Sequence, residues 1–324
     1  MALDTDMPID LVLVRHGESE GNLYDLLETK GKELGKEAQA RELQSKLHGR
    51  HTSSWRLTDL GRHQAQRAGK VIQQHILQQE IGRFDKFFCS SYARAMETAG
   101  CMQLPNARFM INVFIREKDS HNEWKRAGET SDGSVEAQRK SITQFYAAGV
   151  ESPADLLVRV RLFLSELRQN CSGQRVVVVC HRHVIKAFEV ILKNCRPVEY
   201  CNVWTGDVPN CLIQWYSRRD REGNVRSRFC RRVSFAMKEV ADLTATHTEV
   251  ETAEEELQIS AMGHMLSSQD LCRAASTYRQ SLNNEDLQAL CSKEDMDKTP
   301  PAKKARTASL GDGRTDGECI QHSL

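Results

Sequence analysis

The sequence predicts an α/β fold: a mainly parallel central sheet flanked by helices on both faces, an antiparallel edge hairpin, and a partly disordered C-terminal extension. Three observations lead there. Four short segments, Leu11 to Val14, Phe84 to Cys89, Phe109 to Ile115 and Val176 to Cys180, are rich in β-branched or aromatic residues. Helix-like sequence follows three of them, and strands that alternate with helices imply a parallel sheet. Finally, "VVVVC" is apolar on both faces, as a strand covered from above and below must be.

The elements follow in chain order. Between Tyr24 and Arg50 the sequence is rich in Lys, Glu and Gln, with apolar residues too sparse for a core helix, so a surface insertion over residues 24–50 is expected beside the end of the first strand. "LTDLGRHQAQRAGKVIQQHILQQE" has apolar positions at helical spacing, and "SPADLLVRVRLFLSELRQNCSG" opens on a Ser-Pro start and closes on a Gly stop. "CLIQWYSRRDREGNVRSRFCRRVSF" reads as two antiparallel strands around a turn centred on Glu222, Gly223 and Asn224. A domain over 8–240 is expected. Residues 241–292 form a weakly helical acidic extension, with helices near Gln269 to Leu282 and Glu285 to Leu290, and 293–324 a disordered tail.

Composition excludes several classes. Lys plus Arg (45) nearly balance Asp plus Glu (44), which removes the global electrostatic argument for nucleic acid or an anionic membrane as partner. No apolar stretch approaches the roughly 20 residues that span a bilayer, and "MALDTDMPID" lacks the basic and apolar blocks of a signal peptide. A cytoplasmic protein is expected. "TPPAKKARTASL" leaves nuclear import or phosphorylation at Ser309 open, although solvated tail is the preferred reading. The 11 cysteines, among them Cys89, Cys180 and Cys211, lack paired CxxC spacing and read as reduced, buried small residues.

Ligands of open α/β sheets bind at the carboxyl ends of the strands. After the first strand come Arg15 and His16; after the second, Ser90, Ser91 and Arg94; after the third, Arg116 and Glu117; after the fourth, His181 and Arg182. Together they describe an oxyanion pocket, because guanidiniums grip phosphoryl oxygens bidentately and imidazoles or helix N-termini complement them. The serines are placed to cap a helix with Arg94 in its first turn. His16, followed by Gly17, is the candidate nucleophile, the glycine permitting a tight turn and in-line approach. Glu117 is placed to protonate a leaving oxygen and then deprotonate water, provided desolvation raises its pKa. Alone, His181 is equally a structural histidine, Arg94 a surface partner of Glu97 or Glu129, and Glu117 replaceable by Asp119 or Glu123. His48 and His51 are expected to be exposed.

These motifs resemble the histidine phosphatase superfamily, phosphoglycerate-mutase-like branch. "VRHGESEGN" resembles its signature, and "LTDLGRHQAQRAG", "CSSYARAMETA", "IREKDSHNEW", "ESPADLLVRVRLFL" and "VVVVCHRHVIKAF" resemble later segments in the same order, over residues 8–220. The resemblance implies a phosphohistidine on His16, a phosphoryl group held by Arg15, Arg94, His181 and Asn22, and Glu117 as proton donor. It implies no metal and no organic cofactor. Arg182 stands where the family usually has glycine, as a further substrate contact or a crowding group, and Ser120 and His121 stand where an aromatic residue and glycine are typical.

The activity expected is hydrolysis of phosphomonoesters, on a phosphorylated small molecule or phosphoprotein. The alternatives are a phosphoglycerate-mutase-type phosphotransferase and a noncatalytic scaffold. Gly21 replaces the tryptophan of "RHGES-x-W-N" in dedicated mutases and tilts the expectation to phosphatase. Substrate identity and oligomeric state are left open.

Overall fold

The computed structural model describes residues 6–118, 151–195, 200–237 and 250–257. Four strands run parallel side by side: β3 (Phe109–Asn112), β2 (Lys86–Ser90), β4 (Arg175–Cys180) and β1 (Asp10–Arg15). β5 (Ile213–Ser217) continues the sheet antiparallel to β1, β6 (Arg231–Met237) antiparallel to β5, and β7 (Val250–Glu256) antiparallel to β6. The tip between β5 and β6 falls at the expected place, with Gly223 at φ +85° and Asn224 N–H donating to Asp220 Oδ1 at 2.8 Å.

Two expectations change. The acidic extension expected from residue 241 is, over Val250–Glu256, an edge strand: its glutamates pair across from arginines, Arg232 opposite Glu255 and Arg231 opposite Glu256, so complementary charge stands in for apolar burial. The hairpin is therefore an interior pair rather than the edge. The third strand is also shorter than expected, because Asn112 Oδ1 accepts the Phe114 N–H at 2.9 Å and turns Val113–Ile115 into a single 3₁₀ turn. The helices expected near Gln269 and Glu285 lie outside the described residues.

β1, β2 and β4 are buried on both faces, whereas the edge strand β3 exposes Met110 and Ile111. Leu11, Leu13, Val176 and Val178 face one core with α5 (Pro153–Asn170) and α6 (Arg182–Leu192), through Leu156, Phe163 and Phe188. Val12, Val14, Val177 and Val179 face the other with α3 (Asp59–Val71, continued as π-helix through Ile81) and α4 (Ala93–Cys101), through Ala65, Ala68 and Ala95. Burying each such Val or Leu contributes about 1.5–3 kcal/mol. Helix starts follow the sequence: Thr58 caps α3, and Ser152 with Asp155 forms a capping box behind Pro153.

The insertion forms α1 (Glu20–Lys30) and α2 (Glu37–Leu47), mostly exposed, with Tyr24, Leu27 and Leu47 buried. A six-residue helix, α7 (Tyr200–Thr205), precedes the loop into β5. The helices that leave β1 and β2 cover one face and those around β4 the other. The crevice between the ends of β1 and β4 is thus the topological switch point of the sheet, the place where ligands bind.

Candidate active site

The register sets the site. Arg15 pairs with Cys180, so the residues that follow, His16 and His181, emerge side by side, their rings 5.1 Å apart between centroids and tilted 59°. His16 N–H donates to Cys180 O at 3.0 Å, which ties the first loop to the fourth strand. Both imidazoles are buried.

His16 has one nitrogen assigned by its neighbours. Nδ1 lies 2.7 Å from Gly17 O, an acceptor only, so Nδ1 carries the proton; Nε2 is 3.2 Å from Arg94 Nε, a donor only, so Nε2 carries the lone pair. Burial first, then the charges of Arg94, His181 and Arg15, hold the His16 pKa well below that of free imidazole. The ring is therefore neutral at pH 7, with the lone pair aimed at a guanidinium. Gly17 is required for a different reason than expected. It does not adopt a positive φ; a Cβ there would collide with the Gly61 carbonyl in the first turn of α3. Its N–H donates to Thr98 Oγ1 at 3.0 Å, which anchors the loop to α4.

Arg15 is buried, its Nη1 donating to Val208 O, while its Nε has no hydrogen-bond partner among the described residues. Burial pushes its pKa down to about 10, still cationic at neutral pH. Arg94, in the first turn of α4, lies over the Tyr92 ring at 4.9 Å and donates through Nη1 to Thr52 O at 2.7 Å, so the segment just after the insertion touches the site. Glu97 pairs with Arg56 and the Leu57 N–H, and Glu129, the other surface partner considered for Arg94, lies outside the described residues. The expected serine cap does not form: Tyr92 is the N-cap, and Ser90 Oγ holds His181 Nε2 at 2.7 Å. That leaves buried His181 Nδ1 with no hydrogen-bond partner among the described residues. Burial, then Arg94, lowers the His181 pKa, against Glu117.

Glu117 follows the 3₁₀ turn, its side chain 18% exposed, with Oε1 3.3 Å from His183 Nδ1. Burial raises its pKa as expected, but His183, then His181 and Arg94, outweigh that and hold the carboxyl well below its ordinary range. The side chain is thus a carboxylate at neutral pH. Its backbone is clamped by Arg159, which the sequence reading missed. Arg159 donates to Phe114 O at 2.5 Å, Arg116 O at 2.8 Å and Glu117 O at 3.2 Å, and forks onto Glu151 at 2.5 and 2.8 Å. The signal was present: Arg159 lies on the stripe of α5 that carries Leu156, Val160 and Phe163, a charge at a core-facing position.

Asn22 uses Oδ1 to accept from Ser19 N–H, Ser19 Oγ and Asn210 Nδ2, so only its Nδ2 can act on an anion. Asn210 Nδ2 also reaches His16 O at 3.1 Å, a tie between the first loop and the one after α7 that sequence did not reveal. Arg182 does not crowd the histidines. It opens α6, is 40% exposed, and lies 3.7 Å from Asp207. A Cβ on Gly21 would strike the Trp55 ring, so an indole from the segment just after the insertion occupies the space beside that glycine. His48 and His51 are exposed, as expected. The residues predicted at four strand ends, Arg15, His16, Arg94, Glu117 and His181, thus form one cluster.

The chain is similar to known proteins. Two 2,3-bisphosphoglycerate-dependent phosphoglycerate mutases, from Methylocella silvestris and Azorhizobium caulinodans, are each 26% identical over 201 residues, covering 58% of this chain and 82% of theirs. Among solved structures, phosphoserine phosphatase from Entamoeba histolytica in complex with 3-phosphoglyceric acid is 21% identical, covers 67% of this chain and 93% of its own, and has a TM-score of 0.44. The mycobacterial glucosyl-3-phosphoglycerate phosphatase with VO3 is 20% identical, covers 64% and 90%, and has a TM-score of 0.45. The family described as histidine phosphatase superfamily (branch 1) matches residues 11–231, which hold the clustered residues of all four strand ends, and the chain belongs to that superfamily.

Proposed function

We propose that the chain hydrolyses phosphomonoesters through a phosphohistidine on His16. The observation that carries this is the lone pair of a neutral, proton-locked imidazole directed at Arg94, with Arg15 Nε and His181 Nδ1 around it unpartnered among the described residues. A phosphate dianion satisfies these donors and draws the Arg94 N–H off Nε2, which frees the lone pair to attack phosphorus. As the P–N bond forms, the P–O bond to the leaving group breaks and that oxygen takes a proton from Glu117. Water then attacks phosphorus, gives its proton to Glu117, and the P–N bond breaks. Asn22 Nδ2 is a further donor to the phosphoryl oxygens.

Glu117 is ionised at neutral pH, and the incoming dianion, a like charge, raises its proton affinity. Protonation of the acid is thereby coupled to occupancy. The substrate is a phosphorylated small molecule or phosphoprotein chosen in part by the insertion over residues 24–50.

Phosphotransfer of the mutase type is the second reading, supported by the Trp55 indole beside Gly21 and by relatives of that name. Labelled phosphoenzyme, offered water with or without phosphoglycerate, separates the two. Release of inorganic phosphate at an undiminished rate in the presence of phosphoglycerate supports the hydrolase; transfer of the label to the glycerate carbon skeleton overturns it.

A further inference from the structure

We propose that His183 is the proton reservoir for Glu117, so that the acid of this site is a His183–Glu117 pair and not the carboxyl alone. The proposal rests on the phosphohistidine reading above. His183 Nδ1 is buried and lies 3.3 Å from Glu117 Oε1, which also accepts the Lys118 N–H at 2.8 Å. The side chain as a whole is 33% exposed, so the ring lies between the carboxylate and solvent. Trp204 holds the ring at 5.9 Å between centroids and 37°, on one side of the site.

The need for such a group comes from charge. With its carboxyl held well below the ordinary range, Glu117 needs a proton from a neighbour before it can give one. Imidazole is the side chain that carries a transferable proton near neutral pH. The charged groups facing the pair are Arg94 from α4, Arg15 from β1, His181 from the end of β4, Arg159 from α5, and Arg182 and Lys186 from α6, with Asp207 opposite them. Most are cations, and Glu117 is the carboxylate within reach of His183 Nδ1.

The proton balance closes. Nδ1–H of the imidazolium passes its proton to Glu117 Oε1, and Glu117 passes it to the leaving oxygen as the P–O bond breaks. The attacking water returns a proton to Glu117 and so to His183, while its hydroxyl stays on phosphorus. His183 acts only through Glu117 and touches no reacting atom.

The test uses the full chain and a series of aryl phosphates, 4-nitrophenyl, phenyl and 4-methylphenyl, whose leaving groups need progressively more protonation. His183→Asn removes the reservoir; His183→Phe removes it while keeping a ring against Trp204. We expect both variants to lower kcat on phenyl phosphate about 10- to 100-fold, to spare 4-nitrophenyl phosphate, and to lose the descending alkaline limb of the kcat profile. A parental limb and an unchanged dependence on the leaving group in both variants would overturn the proposal. His16→Ala in the same assays keeps the two readings apart: if it hydrolyses 4-nitrophenyl phosphate at the parental rate, the phosphohistidine reading falls, whatever the His183 variants do.

Discussion

The two halves of the sheet are built differently and do different work. The parallel half, β3-β2-β4-β1, is apolar on both faces and brings four strand ends to one edge. The antiparallel half, β5-β6-β7, is stitched by charge: Arg232 contacts both Glu189 and Glu255, and Arg231 contacts Glu254. In the first half the strand ends gather buried ionised groups at the site, with Asp10 buried at the far end of β1 against Trp215 and Ser217; in the second half charge pairs lie along the strands, Glu255 and Glu254 partly exposed. Burial makes a charge expensive and therefore useful, because a buried cation or carboxylate has its affinity for a ligand or proton altered most.

That contrast yields graded tests. Largest is His16→Ala at the parallel edge, which should lower hydrolysis of an aryl phosphate on the order of 10⁴-fold with the melting temperature near that of the parent, read by steady-state kinetics and thermal melts. Next is Arg159→Ala, which removes the guanidinium that forks onto buried Glu151 and clamps the backbone of Glu117, and should cost about 3 kcal/mol in chemical denaturation.

A third test uses pH. His16 and His181 titrate below free imidazole in the fold, so on acidification through about pH 6.5 the unfolded chain takes up protons that the folded one refuses. Stability therefore rises with pH across that window and falls below it. Melting curves from pH 7.5 to 5.5 should slope less for a His16→Asn, His181→Asn double variant than for the parent; parallel slopes would mean the imidazoles are not the titrating groups. Smallest is Glu255→Ala in the antiparallel half. Glu255 is half-exposed and screened, and Arg232 keeps Glu189, so the loss should be below about 1 kcal/mol and shrink further in high salt.

How far the site was legible depended on the residue. Arg15, His16, Arg94 and His181 were readable because each directly follows a strand or opens a helix, and local pattern places such positions at one sheet edge. β7 was not, since an acidic run reads as solvated until its arginine partners on β6 are known to lie across from it. Ser90 was given the wrong task for the same reason: its hydroxyl serves a histidine 91 positions away.

Periodicity, caps and strand ends, all effects within a few residues, specified the α/β class, the helix starts and the cluster of cations. The proton state of that cluster came from elsewhere. Which His16 nitrogen holds a lone pair, that Glu117 is ionised at neutral pH, and that Arg159 and His183 attend it all depend on contacts between residues far apart in the chain. Electrostatics acts through space and is strengthened by burial, and a linear sequence records neither distance nor dielectric.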